Sequence, residues 1–90
     1  MKKDSRYLHI GKGTVIPTDG VVAVFDLDVT SQSHLTRQYL HHAEKSGQVI
    51  NAAEDLPKSF LVWEKDGKTT VYLSQMAAST LLRRAESGLI

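Results

Sequence analysis

Short apolar runs, each followed by turn-forming residues, make up the first third of the chain. Branched and aromatic side chains fit a pleated, half-buried surface, so such runs predict β-strands. Gly11 and Gly13 suit a tight turn between the first two runs, and a Pro-Thr-Asp-Gly turn precedes the third. The predicted strands cover residues 7–10, 14–16 and 21–25. Because the third run is almost continuously apolar, we expect it to lie centrally, as the spine of a sheet covered on at least one face.

The apolar positions then change to a helical period. Leu35, Tyr39, Leu40 and Ala43 share one helical face, which predicts a helix over residues 33–46 that ends at Gly47. The candidate N-caps for this helix are Thr30, Ser31, Gln32 and Ser33. A second helix is predicted to begin near Gln75. Its apolar set is Met76, Ala77, Leu81 and Ala85.

A β-hairpin is predicted between the two helices. Residues 60–64 and 70–73 are strand-like and flank the turn formed by residues 65–68, whereas Val49-Ile50 reads as a brief extended segment. Pro57 marks the entry to the hairpin, because proline lacks the backbone donor that a strand interior needs. The pattern therefore predicts an α+β fold, with a small, mainly antiparallel sheet of about five strands and two helices. One domain is expected over residues 1–90, with an ordered core at about residues 7–86.

Length and composition limit the possible functions. A chain of 90 residues buries only roughly 60% of its unfolded surface, so oligomerisation would add needed stability. The chain has no cysteine, and its apolar runs are shorter than the roughly 20 residues of a membrane span. The first six residues also lack the apolar stretch of a signal peptide. We therefore expect a cytoplasmic protein with no membrane partner.

The net charge of +1 gives the chain no strong overall field toward nucleic acid. Anion binding would have to come from local clusters or from repetition by symmetry. The basic residues that could face a phosphate backbone lie on predicted turns and helix surfaces. They are Lys12, Arg37, Lys45, Lys58, Arg83 and Arg84.

Three histidines on the first helix suggest a metal site, since His34 and His41 share a face and His42 adjoins them. A zinc site needs three or four converging ligands, and neither cysteine nor an HExxH pattern is present. Solvated histidines are the better interpretation. We predict no metal and no other cofactor.

Enzymatic signatures are also weak. Asp26 and Asp28 would share one face of an extended strand, but nothing else assembles around them, so they more simply end the strand. Gly11-Lys12-Gly13-Thr14 lacks the GxxxxGK[ST] spacing of a phosphate loop and reads as a hairpin turn. No GxSxG or SxxK pattern occurs. We predict a non-enzyme without a small-molecule substrate.

Several sequence blocks together resemble one family. The blocks are Tyr7-Leu8-His9-Ile10-Gly11, Val24-Phe25-Asp26-Leu27-Asp28, Leu56-Pro57-Lys58-Ser59-Phe60, Val71-Tyr72-Leu73-Ser74 and Leu81-Leu82-Arg83-Arg84. In order and spacing they resemble the extracellular matrix regulatory protein B family of Gram-positive bacteria, over about residues 7–85. The sister A family contains DNA-binding activators of biofilm matrix genes.

This resemblance implies a LytTR-like fold, subunits assembled into a ring, and duplex DNA held along the outer face of the ring. Symmetry would then multiply one or two cations per subunit into a phosphate-binding surface. The sister family's Gly-Arg-Arg-Thr-Arg run falls on residues 55–59, where Lys58 keeps a positive charge. Lys58 and Arg37 are the main candidate phosphate ligands, and Lys12, Arg83 and Arg84 are secondary candidates.

One alternative remains open at the level of sequence. The paired arginines of the sister family are absent here. The chain could therefore keep a ring-forming fold and act as a structural or protein-interaction module without DNA binding, joining another regulator through its hairpin edge.

Overall fold

The computed structural model describes residues 6–11, 13–27 and 33–87. Six strands and two helices lie in these ranges. They are β1 (Tyr7–Gly11), β2 (Thr14–Pro17), β3 (Val21–Asp26), α1 (His34–Lys45), β4 (Val49–Asn51), β5 (Ser59–Lys65), β6 (Lys68–Ser74) and α2 (Ala78–Ser87). A short 3-10 turn, Thr18–Gly20, joins β2 to β3. The predicted α+β class is confirmed.

The strands form two sheets where the sequence pattern predicts one. β1 and β2 make an antiparallel pair, and the larger sheet has the order β3-β5-β6-β4. Every pairing is antiparallel except that of β4 with β6. The β1–β2 pair packs on a face of the larger sheet and does not extend it. The LytTR-like relationship stays a prediction.

The expectation that β3 lies centrally was wrong. In the described part of the chain β3 pairs only with β5, which makes it an edge strand. Val22 is 60% exposed and Phe25 is 38% exposed. The two central strands of the larger sheet are β5 and β6. They form one hairpin, and apolar clusters cover both of its faces. The apolar composition of β3 led to the expectation of a central strand. The strand order instead places β3 at the edge of the sheet.

Both helices are confirmed, with one shifted boundary. The Ser33 hydroxyl accepts a hydrogen bond from the Thr36 N–H (3.4 Å) at the start of α1, and Gly47 has a φ of +72° just after its end. The other three candidate caps lie outside the described residues. α2 begins three residues later than Gln75.

Side chains hold the segment before α2 out of the helix. The side-chain amide oxygen of Gln75 accepts a hydrogen bond from the Glu54 backbone N–H at 2.6 Å. Ser59 donates to the Met76 carbonyl at 2.7 Å, and the Met76 N–H donates to the Ser74 hydroxyl at 3.0 Å. These bonds fix a connection that the apolar pattern alone assigned to the helix.

The larger sheet is covered on both faces. On one face α2 and the β1–β2 pair bury a cluster that includes Leu8, Leu61 and Leu81. On the other face α1 packs over a cluster that includes Phe60 and Val71. Neighbouring residues of β5 thus point to opposite faces, as the period of a strand requires. The two helices lie on opposite sides of the sheet.

The predicted hairpin is confirmed by its turn geometry. Asp66 and Gly67 both have positive φ, +53° and +79°, as a two-residue type I′ turn requires. Trp63 and Tyr72 meet edge to face across the hairpin, with ring centroids 6.5 Å apart. The indole N–H of Trp63 donates to the Pro17 carbonyl at 2.8 Å. The hairpin is thereby tied to the smaller β1–β2 sheet.

Candidate nucleic-acid-binding surface

Lys58 stands on a loop whose backbone is fixed on both sides. Its N–H donates to the Ser74 carbonyl at 2.8 Å, and its carbonyl accepts from the Leu27 N–H at 2.9 Å. Pro57, the residue before it, restricts the backbone further. The lysine itself is exposed. A fixed backbone with an exposed ammonium group is suited to an oxygen-rich anion such as a phosphate.

Arg37 is an exposed residue of α1 that lines an open groove of about 340 Å³. Leu27, Leu73 and Pro57 also line this groove. Because the Lys58 carbonyl binds the Leu27 N–H, the backbone of Lys58 lies beside the groove that Arg37 lines. The structure thus places the backbone of Lys58 next to the groove that Arg37 lines, and their joint role as phosphate ligands stays a prediction.

The secondary candidates lie elsewhere. Arg83 is exposed and Arg84 is half-buried on α2, and α2 lies on the opposite face of the sheet from α1. Lys12 lies outside the described residues. In the part of the chain that the structure describes, Arg83 and Arg84 therefore lie on the other side of the sheet from Arg37.

A second group of lysines includes two, Lys65 and Lys68, that the sequence analysis did not name as candidate phosphate ligands. Lys65 and Lys68 oppose each other where β5 meets β6, and Lys45 ends α1. The Gln48 side chain donates to the Thr69 carbonyl at 3.3 Å, which ties the segment after α1 to this hairpin. All three lysines are exposed. The hairpin-turn signal placed Lys65 and Lys68 correctly, but sequence spacing did not show that α1 ends nearby.

The described residues show little that resembles a catalytic or metal centre. Within ranges 6–11, 13–27 and 33–87, no group of three or more His, Cys, Asp or Glu side chains converges. Asp26 ends β3, as predicted, and Asp28 lies outside these ranges. No helix in the described part of the chain is long and apolar enough to span a membrane.

Comparison with known proteins identifies the family. No curated protein matches the chain. The model of the RemA-like family, described as extracellular matrix regulatory protein A-like, matches residues 7–85. This range includes all eight helices and strands of the described fold, apart from the last residues of α2. The predicted kinship with matrix regulators is therefore confirmed at this level, and the chain belongs to the extracellular matrix regulatory protein A-like family.

Proposed function

We propose that the protein is an oligomeric, non-enzymatic regulator that binds duplex DNA through the phosphate backbone. The observation that carries this proposal is the match to a family of matrix regulatory proteins over residues 7–85. Within that family we assign the chain to the B branch, on the five sequence blocks that resemble it. A regulator of this kind would act in the cytoplasm, where the DNA is.

Arg37 and Lys58 are the proposed phosphate ligands. Both are exposed; Arg37 lines the groove, and Lys58 directly follows Pro57, which also lines it. A monomer with a net charge of +1 attracts DNA weakly, but subunits arranged in a ring would repeat this pair around an axis. Since each neutralised phosphate releases counterions, binding should weaken steeply as salt rises. Contacts of this kind position a protein on DNA without reading the sequence.

Replacing Lys58 by glutamate tests the proposed site. We expect the Lys58→Glu variant to bind several unrelated duplexes more weakly, by a similar factor for each. The slope of log affinity against log salt should fall by about one for each phosphate that the variant no longer neutralises. Fluorescence anisotropy with labelled duplexes at several salt concentrations measures both quantities.

Lys68→Glu is the matched control. It makes the same charge change at another exposed lysine, at the far end of the β5–β6 hairpin from Ser59. If Lys58→Glu and Lys68→Glu lower the affinity equally, the effect is one of net charge, and Lys58 is not at the site. Unchanged affinity in Lys58→Glu also removes it from the site.

The second candidate is a ring-forming interaction module without DNA binding. It is favoured by the loop of residues 55–59, where one lysine stands in place of the several arginines of the sister family. This loop also exposes Leu56 by 80%, which suits a protein partner better than a phosphate. A stable oligomer that fails to retain mixed genomic fragments at low salt would decide for this function.

A further inference from the structure

The α1 helix leaves two grooves open on its face of the larger sheet. The apolar groove between α1 and β3 has no charged side chain among the described residues that line it. The groove that Arg37 lines differs, because charged and apolar side chains share it. A few polar groups in an apolar site fix which ligand binds and in which orientation. The Arg37 groove is therefore the better candidate for a ligand site.

The floor of this groove is apolar and only partly covered. Its volume is about 340 Å³, and sites for small molecules have volumes of about 300–1,000 Å³. Five of the described lining residues are apolar, and each of them is half-buried. They are Leu27, Leu40, Val49, Pro57 and Leu73. A ligand with an apolar body would remove more of their surface from water, which favours binding.

The two charged residues among the described lining residues lie toward opposite ends of the groove. Arg37 and Glu44 are both exposed on α1, and their positions are about 10 Å apart along the helix axis. β4 follows α1 after a short turn, so Glu44 lies toward the start of β4, and Arg37 toward the sheet end where β3 and β6 finish. His41, one turn from Arg37, also lines the groove, and its ring N–H can donate a hydrogen bond.

Lys58 adds a positive charge near the Arg37 end. Its backbone bonds to the neighbouring strand ends extend β5 by one residue, and one of these bonds is to Leu27, which lines the groove. Phe60, two residues further along the chain, belongs to the cluster under α1. Because alternate residues of a strand point to the same face, Lys58 faces the α1 side as Phe60 does. This end of the groove therefore favours an anion.

We propose that the groove binds a small amphipathic anion, with its oxyanion group at Arg37 and its apolar body on the floor. Carboxylates and phosphate monoesters share this headgroup chemistry. The ligand is an effector that the protein binds without changing it chemically. Because its headgroup uses Arg37, the effector competes with a DNA phosphate for that residue. The competition rests on the proposed function, whereas binding of the effector does not.

Octanoate is the probe, and its binding is measured by NMR chemical-shift titration of the isotope-labelled protein. We expect saturable shifts in the backbone signals of the lining residues. Two matched compounds separate the contributions, since acetate has the headgroup without the apolar body and octanol has the apolar body without the charge. Both should bind more weakly than octanoate. Octyl phosphate in a parallel titration distinguishes the two sources of the headgroup.

Arg37→Met tests the assigned headgroup contact, because methionine keeps much of the aliphatic stem and removes the charge. We expect this variant to bind octanoate roughly tenfold more weakly and to bind octanol as the unmodified protein does. Lys68→Met is the matched control. It removes one charge from an exposed residue at the far end of the β5–β6 hairpin, and its affinity for octanoate should be unchanged. Circular dichroism checks that each variant is folded.

Three results would overturn the site. If acetate shifts the same signals as strongly as octanoate, the groove holds an adventitious ion only. If octanol binds as tightly as octanoate, or if Arg37→Met and Lys68→Met bind octanoate equally well, Arg37 holds no headgroup. If the shifts lie away from the lining residues, the ligand binds elsewhere.

The competition is tested by anisotropy of a labelled duplex. Saturating octanoate should raise the apparent Kd for DNA, compared with acetate at the same ionic strength. If octanoate binds in the groove and leaves the affinity for DNA unchanged, the competition is overturned. If octanoate binds in the groove and no duplex binds at all, the proposed function fails and the effector site stands.

Discussion

The Ser74 hydroxyl joins three parts of the fold, and its removal should destabilise the protein more than the loss of one hydrogen bond. Ser74 ends β6 and is fully buried. Its hydroxyl donates to the Ile10 carbonyl at 2.5 Å and accepts from the Met76 N–H at 3.0 Å. Ile10 has no partner in the β1–β2 register, because the strand is irregular between His9 and Gly11. The Ser74 hydroxyl thus takes the place of a missing ladder bond.

The Ser74→Ala variant leaves both backbone groups without this partner. A buried polar group that loses its hydrogen bond costs about 1–3 kcal/mol. The Ile10 carbonyl should bear the full cost because Ile10 is fully buried, whereas Met76 is only partly buried and water can replace some of its bond. We expect a loss of about 2–4 kcal/mol in the free energy of unfolding. In a domain of this size that lowers Tm by roughly 8–20 °C.

Ser59→Ala is the matched comparison. Ser59 is also fully buried, but its hydroxyl makes a single bond, to the Met76 carbonyl, so we expect a loss of about 1 kcal/mol. Urea unfolding followed by Trp63 fluorescence, together with calorimetry, measures both variants. The reasoning is refuted if Ser74→Ala loses no more stability than Ser59→Ala.

Two further substitutions probe the packing on the same face of the sheet. In Gly20→Ala the new Cβ would overlap the indole ring of Trp63, so we expect a loss of about 1–3 kcal/mol and a changed emission from Trp63, the chain's single tryptophan. Unchanged emission and stability would contradict that close approach. Leu61→Ala removes a fully buried side chain and should cost about 2–5 kcal/mol in urea unfolding. The control Leu82→Ala, at a residue 44% exposed on α2, should cost far less, and equal losses would argue against the assigned core.

The candidate site was only partly accessible to sequence reasoning. Pro57 and the strand that follows it predicted that Lys58 would stand at the entry to the hairpin, and local backbone preference was enough for that. The placement of Arg37 beside the same groove depends on how α1 packs across the sheet, which no local pattern specifies. The separation of Arg83 and Arg84 from this groove has the same cause, since the two helices cover opposite faces.

The sequence by itself determined the elements whose signals are local. The Asp66-Gly67 turn, α1 with its end at Gly47, and the alternation of Phe60 and Leu61 along β5 follow from backbone preference and side-chain period. Only the tertiary structure decided the order of the strands. The apolar composition of residues 21–25 indicates that these side chains favour burial. It does not indicate which strand or helix packs against them. Strand order depends on contacts between residues far apart in the chain, and these placed β3 at an edge and left its apolar groove open.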